Sequence, residues 1–224
     1  MARRNPRIRV LILDQQVMFA EALRLALGAE RDVEVVGVAH GPEEAAALAA
    51  EARPQVVLAD LGLPGDAGIE AVRRLAEADP EGRVVVLAAN QGDLLLARAV
   101  EAGAVGIISK FDSVEAVARA VRGAAAGEPL LSADERRRLL RRLRHRRAER
   151  ASAQQRADRL TPRETEILQH MADGARPEQI AAFLGISVAT LRTHVQNVLT
   201  KLGVHSKTEA LAFAIRHGKV TARL

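Results

Sequence analysis

The sequence predicts an α/β domain over residues 1–131, a basic helical linker over 132–159 and an all-α four-helix module over 160–224. Three observations carry this reading. Between residues 8 and 126, short apolar runs alternate five times with segments of helical spacing. Five strand–helix units imply a parallel sheet with helices on both faces. The charge then changes sign along the chain: residues 1–131 hold 14 Lys+Arg and 19 Asp+Glu, residues 132–159 hold 11 and 4, and residues 160–224 hold 8 and 5. Finally, Ser/Thr, Pro and Gly divide the last segment into four short helices at positions that suit caps and stops.

Bulk properties exclude several classes. A length of 224 residues suits two compact domains. There is no cysteine, so disulfides and thiolate metal sites are excluded. No apolar run approaches the length of a membrane span. The start, MARRNPRIRVLIL, is basic and then apolar, but it passes straight into an acidic turn without a small-residue cleavage site; it suits a first strand and not a signal peptide. A cytoplasmic location is expected. An acidic front and a basic back indicate that only the back half meets a polyanion.

The α/β elements follow in order. Residues 8–13 are continuously apolar, as a strand buried on both faces should be. Phe19, Leu23 and Leu27 give helical spacing over 17–28. Strands are then expected over 33–39, 55–60, 83–88 and 105–109, with helices over 43–52, 69–78, 93–102 and 113–126. Right-handed crossovers at this length favour the flavodoxin-like, doubly wound order 2-1-3-4-5. Ligands bind such sheets at the carboxyl ends of the strands. Asp14, Asp60 and Lys110 collect at that edge. Each alone suits a cap or a solvated loop. Together they suit a site: two close carboxylates repel, a cation such as Mg²⁺ relieves the repulsion, and a lysine neutralises an added anion.

The segments VLILDQQVMFAEAL, VVLADLGLPGDAGIEAV and AVGIISK resemble the receiver domain of two-component response regulators, over residues 7–131. The resemblance implies that Asp60 is the phosphoacceptor. It implies that Asp14 is the first of an acidic pair holding Mg²⁺ together with Asp60, and that Lys110 contacts the phosphoryl group. Pro64 and Gly65 match the loop after the phosphoacceptor. Several positions depart from the family pattern. Gln15 replaces the second acid, and an amide has no charge to hold a hard cation. Ala88, followed by Ala89, stands where a Ser/Thr is expected to bond the phosphoryl oxygen. Ile107 replaces the aromatic switch residue, and the chain has neither Tyr nor Trp. Ala67 replaces a further acid, with Asp66 beside it. These departures predict an atypical, phosphorylation-independent receiver with a weakened Mg²⁺ site, in which Asp14, Asp60 and Lys110 persist as a salt-bridged cluster. The alternatives are a conventional switch driven by Asp60 phosphorylation, and a docking module for a protein or a small anionic ligand.

In the linker, Ser132-Ala133-Asp134-Glu135 suits a capping box. A long helix over about 133–156 should follow, since the segment lacks Gly and Pro. Leu139, Leu140 and Leu143 make one short apolar stripe, too little for a stable coiled coil. A solvated basic spacer is the first reading. Contact with DNA phosphates, docking on the acidic domain and binding of an anionic effector are the others.

In the last module, Thr161, Pro162 and Glu164 suit the N-cap, N1 and N3 of a first helix that ends at Gly174. A second helix runs from Pro177 to Leu184 and a third, capped by Ser187, from Val188 to Leu202. A fourth, capped by Ser206, ends at Gly218. The second and third form a helix-turn-helix. Leu191, Val195, Val198, Leu199 and Leu202 follow core spacing, while Arg192, Thr193, Gln196, Asn197 and Thr200 share the opposite face. An ordinary polar face is the plain reading. In a groove, Arg192 suits guanine, Gln196 suits adenine, and the Thr193 methyl suits a thymine methyl. LTPRETEIL, QIAAFLGIS, TLRTHVQNVLTKLGV and EALAFAIRHG together resemble the LuxR-type DNA-binding domain of the NarL/FixJ response regulators, over residues 160–218. The resemblance implies base contacts by Arg192, Thr193 and Gln196. It places Thr190 and Lys201 near phosphates, and it makes the last helix (Glu209, Leu211, Ala212, Ile215) the dimer contact. Arg176 stands where a polar cap is usual; it cannot cap a helix but can meet a phosphate. His170, His194, His205 and His217 lack metal spacing.

The reading is a bacterial transcription regulator that binds paired half-sites of double-stranded DNA as a homodimer. Its input is a sensor kinase, a protein partner or a small ligand. It is not an enzyme: no general base, oxyanion hole or substrate pocket accompanies Asp60.

Overall fold

The structure is a computed structural model that describes residues 7–221. The expectations for the basic start MARRNP and for residues 222–224 of the last domain lie outside the described residues. The chain forms two compact units, divided in sequence between Arg144 and His145.

The first unit is an α/β sandwich. Its elements are β1 (Ile8–Leu13), α1 (Val17–Gly28), β2 (Val33–Ala39), α2 (Pro42–Ala52), β3 (Val56–Asp60), α3 (Ala67–Ala78), β4 (Arg83–Ala88), α4 (Asp93–Glu101), β5 (Gly106–Ser109) and α5 (Val114–Ala125). All pairings are parallel and the order is β2-β1-β3-β4-β5. Successive side chains of a strand face opposite ways, so each apolar run serves two cores. Leu11, Leu13, Val57, Ala59, Val84 and Val86 pack with α2, α3 and α4 on one face. Val10, Ile12, Val56, Leu58, Val85 and Leu87 pack with α1 and α5 on the other. Gly106 opens β5 because a Cβ there would lie 2.5 Å from Leu130 Cδ1.

Helix α6 (Ala133–Asp158) starts with the expected capping box: Ser132 N–H donates to Glu135 Oε2 at 3.0 Å, and Glu135 N–H donates to Ser132 Oγ at 3.2 Å. The spacer reading needs correction at both ends of this helix. Leu139 and Leu143 are buried with Ala97 and Val100 of α4, and Ile107 of β5 packs against the same cluster. Arg142 pairs with Asp93. A stripe of three leucines cannot sustain a coiled coil, but it can cover one helix face, and α4 offers that face. At the other end, Ala157 is fully buried in the core of the second unit.

The second unit comprises the end of α6 with α7 (Pro162–Ala172), α8 (Pro177–Leu184), α9 (Val188–Leu202) and α10 (Lys207–Arg216). Its ends follow local chemistry. Thr161 and Glu164 form a reciprocal capping box, and Ser187 and Ser206 accept from the backbone N–H groups of Thr190 and Glu209. Gly185 and Gly203 both take φ +65°, the left-handed conformation that closes α8 and α9. Arg176 makes no side-chain cap; instead Gln179 Oε1 accepts its backbone N–H at 2.8 Å. Ile167, Ile180, Ala181, Leu184 and Leu191 form one small core, and Leu168, Val198, Leu202 and Phe213 form another.

Candidate functional site

In the first unit, the carboxyl ends of β1, β3 and β5 bring Asp14, Asp60 and Lys110 together. Asp14 and Asp60 are 0% and 1% exposed. Lys110 Nζ lies 2.6 Å from Asp14 Oδ2 and 3.0 Å from Asp60 Oδ1. One ammonium thus bridges two buried carboxyl groups. Asp14 Oδ1 also accepts the Gln16 N–H at 2.9 Å, and Asp60 Oδ1 accepts the Gly62 N–H at 2.9 Å. Asp60 Oδ2 is buried with no hydrogen-bond partner among the described residues. Burial holds the Asp14 carboxyl above its ordinary range, and the Asp60 charge pushes the same way; hydrogen bonds from Lys110 and Gln16 oppose both.

Three further residues surround this cluster, and no local pattern in the chain assigns them to it. His40, just after β2, places Nδ1 2.9 Å from the Asp14 carbonyl oxygen and so braces the turn after β1. Gly62 presents its carbonyl to Gln15, whose Nε2 donates to it at 2.6 Å. Phe19 lies under Lys110, with Nζ 4.8 Å from the ring centroid.

Asp14 and Asp60 are the two charged donors here that could hold Mg²⁺, and Gln15 stands where a further acid would add to them. Among the described residues, no group of three or more His, Cys, Asp or Glu side chains converges as a metal site. Gln15 is exposed, and its amide nitrogen is engaged with Gly62. The ammonium of Lys110 already supplies the cation between the two acids.

Around this cluster, the positions expected to transmit a signal are apolar and packed. Ala88 is buried at the end of β4 and offers no hydroxyl. The next N–H, of Ala89, donates to Gln91 Oε1 at 2.5 Å. Ile107 is engaged in the cluster with α4 and α6. Asp66, in the loop after β3, is held by a bidentate pair with Arg98 of α4, both distances 2.7 Å. That hydrogen bonding keeps the Asp66 carboxyl below its ordinary range.

In the second unit, α9 exposes Arg192, Thr193, Gln196, Asn197 and Thr200 on one face while Leu191, Val198 and Leu202 are buried on the other. Arg192 makes no hydrogen bond or ion pair among the described residues, so its guanidinium projects from the helix uncommitted. Thr193 and Thr200 bond back to the carbonyls of Ala189 and Gln196. Thr190 sits at the start of the helix, its hydroxyl 2.8 Å from Ser187 Oγ. Arg176 is exposed at the start of α8.

Lys201, expected near a phosphate, pairs with Glu164 and keeps a third of its side chain exposed. Its Nζ lies 2.8 and 2.7 Å from the two carboxylate oxygens of Glu164, which is 3% exposed. Burial, which alone would raise the Glu164 carboxyl, is outweighed by Lys201 and by the N–H and hydroxyl of Thr161, so the group sits below its ordinary range. The ammonium is committed to the scaffold. On α10, Ala212 and Ile215 are exposed, whereas Leu211 packs partly against the core. Glu209 accepts the His205 N–H at 3.0 Å and braces the start of its helix.

Two family models match the chain: the response regulator receiver domain over residues 10–122, and the bacterial regulatory proteins of the luxR family over residues 158–214. The transcriptional regulatory protein LiaR of Bacillus subtilis is 36% identical over 210 residues, covering 94% of this chain and 98% of its own. An uncharacterized transcriptional regulatory protein of the same species, YxjL, is 34% identical over 214 residues, covering 96% and 98%. Among solved structures, the response regulator ChrA of a heme-sensing two-component system aligns with a TM-score of 0.52 at 30% identity, over 96% of this chain and 100% of its own. These relatives are regulators rather than enzymes. The chain belongs to the NarL/LuxR-type response regulators: a receiver domain joined to a LuxR-type DNA-binding domain.

Proposed function

We propose that this regulator reads paired half-sites in double-stranded DNA as a cytoplasmic homodimer, through Arg192, Thr193 and Gln196 of α9, and that phosphorylation of Asp60 does not drive its output. The observation that carries the second half is the Lys110 bridge to both buried carboxylates, with Ala88 and Ile107 beside it. A phosphoryl group works as a switch only if it favours one conformation over another. Ala88 has no hydroxyl to follow the added charge, and Ile107 is held by the leucines of α6. In this reading Asp14, Asp60 and Lys110 are a structural cluster. Ala212 and Ile215 supply the exposed part of a dimer contact on α10, with Glu209 and Leu211 bracing it. Thr190 and Arg176 lie near phosphates, whereas Lys201 acts through Glu164.

Acetyl phosphate with Mg²⁺ is expected to label the protein poorly. Asp60→Asn is expected to leave DNA affinity within about threefold, under ~0.7 kcal/mol. Phosphate-affinity gels and binding titrations measure both. Near-stoichiometric labelling with a large gain in affinity would establish the conventional switch instead.

A further inference from the structure

Beyond the apolar packing of Ala157, the last turns of α6 make a polar contact with α9. Arg156 Nη1 donates to the backbone carbonyl of Leu202 at 2.7 Å. Leu202 is the last residue of α9, so this carbonyl is one of the acceptors that a helix end leaves without an intrahelical partner. A cation there also complements the negative end of the helix dipole. The guanidinium stacks 5.1 Å from the centroid of the Phe213 ring on α10. Gly203 leaves it room: a Cβ at that position would lie 3.0 Å from Arg156 Nη1. Arg156 Nε is buried without a partner among the described residues.

An orphaned buried donor costs stability. A plain packing role would be filled better by an apolar side chain of similar length. What Arg156 offers beyond packing is a directional hold on the end of α9. The adjacent residue, Lys201, is held by Glu164. The carboxyl end of α9 is thus pinned on two sides, while its first two turns and its middle carry Arg192, Thr193 and Gln196. A small rotation or slide of α9 moves those side chains against base edges, and bidentate readout tolerates little displacement.

We propose that Arg156 is a positioning residue for DNA readout: by holding the Leu202 carbonyl it sets the placement of α9, and it makes the end of α6 a working part of the DNA-binding unit. The inference rests on α9 being the base-reading helix. Arg156 itself touches neither base nor phosphate.

The test uses the full chain and duplexes enriched from a random library by the wild-type protein, with poly(dI-dC) as the non-specific competitor. Arg156→Met keeps the apolar stem and removes both the directional donor and the orphaned Nε, so it should fold. Its preference for enriched over random duplexes should fall roughly tenfold, within the range by which residues remote from a ligand modulate binding. The salt dependence on random DNA should not change. Arg156→Lys, which restores a donor, should recover part of the preference. Arg192→Ala, measured in parallel, reports on the premise: if it leaves the preference intact, α9 does not read bases and the premise fails. If Arg192→Ala does abolish the preference, an unchanged preference in Arg156→Met overturns the proposal, even where its melting temperature falls. A salt slope on random DNA shallower by about 0.9 for Arg156→Met overturns it too, because the residue would then be a phosphate contact. If Arg156→Met does not fold, Phe213→Leu, which removes the stacking but keeps the site apolar, takes its place and should show the same loss of preference at an unchanged salt slope.

Discussion

Lys110 and Lys201 face the same physical problem with different charge balances. Each bonds carboxylates that the fold has taken out of water. In the second unit the balance is one to one: Lys201 meets Glu164 through both carboxylate oxygens, and Thr161 supplies the remaining donors. In the first unit Lys110 faces Asp14 and Asp60 together, and one oxygen of Asp60 has no partner. The carboxyls respond in opposite directions: Glu164 is held below its ordinary range and Asp14 above it. A balanced pair locks a scaffold. An unbalanced cluster favours protonation of one of its carboxyls, which is the direction Asp14 takes.

Removing the cation should show the contrast at its largest. Lys110→Met leaves two buried carboxylates facing each other with no ammonium between them. Breaking a buried pair from one side typically costs about 3–5 kcal/mol. The loss should be greatest near neutral pH and should shrink in acid as the carboxyls protonate. Denaturant titrations of the receiver unit, followed by hydrogen exchange in β1 and β3, would measure it. A variant as stable as wild type at pH 7 would mean that water or a solution cation already serves the cluster.

Lys201→Met is expected to cost less, about 1–3 kcal/mol, because the lysine is one-third exposed and solvent screens the pair. The two units should also answer acid with opposite signs. Glu164 has a lowered folded value, so its contribution is present above the ordinary glutamate range and lost as pH falls through that lower value. Asp14 has a raised folded value, so its contribution is present below the ordinary aspartate range and lost as pH rises through the raised value. Asp14→Asn should therefore stabilise the receiver unit at neutral pH, and Lys201→Met should flatten the acid limb of the DNA-binding unit. Unit-resolved exchange across pH 3–7 checks both. The same sign in both units would contradict the charge balance described above. Lys201→Met should leave the salt dependence on random DNA unchanged, and a shallower slope would return Lys201 to the phosphates.

The sequence showed what is local. Strand runs such as VVLAD, the capping boxes at Thr161 and Ser132, and the glycines closing α8 and α9 all act within a few residues, so their chemistry can be read in one pass along the chain. The exposed face of α9 was equally plain, because helical spacing places Arg192 and Gln196 on one side and Leu191 and Val198 on the other. The remaining partners are remote in the chain. His40 braces the backbone of Asp14 from 26 residues away, Lys201 finds Glu164 at 37, and Arg156 reaches Leu202 at 46. Nothing around Glu164 marks it as buried, since a capping glutamate is usually solvated. Likewise Leu139 and Leu143 showed a stripe without a partner, and only the packing of α4 supplies one. Family resemblance compares positions, so it marks Lys201 without showing that Glu164 lies against it, 37 residues away in the chain.

The smallest expected effect concerns cations that neither unit engages in this way. Arg142 pairs with Asp93 and Arg146 lies 3.6 Å from Glu149, whereas Arg141 and Arg144 are exposed and make no hydrogen bond or ion pair among the described residues. If these two lie along flanking DNA, each phosphate they neutralise should steepen the salt dependence by about 0.9 in log–log slope. Replacing both with Gln keeps helix propensity and removes only the charge. The double variant should bind long duplexes more weakly and with a shallower slope, yet match wild type on a duplex trimmed to the enriched site. Arg142→Gln should leave the slope unchanged, because its charge is already met by Asp93. If the slope on long DNA is the same for wild type and Arg141→Gln/Arg144→Gln, this helix does not touch the backbone. Its basic face then answers to the acidic receiver surface, and comparing Asp93→Asn with wild type in receiver-unit stability is the measurement that follows.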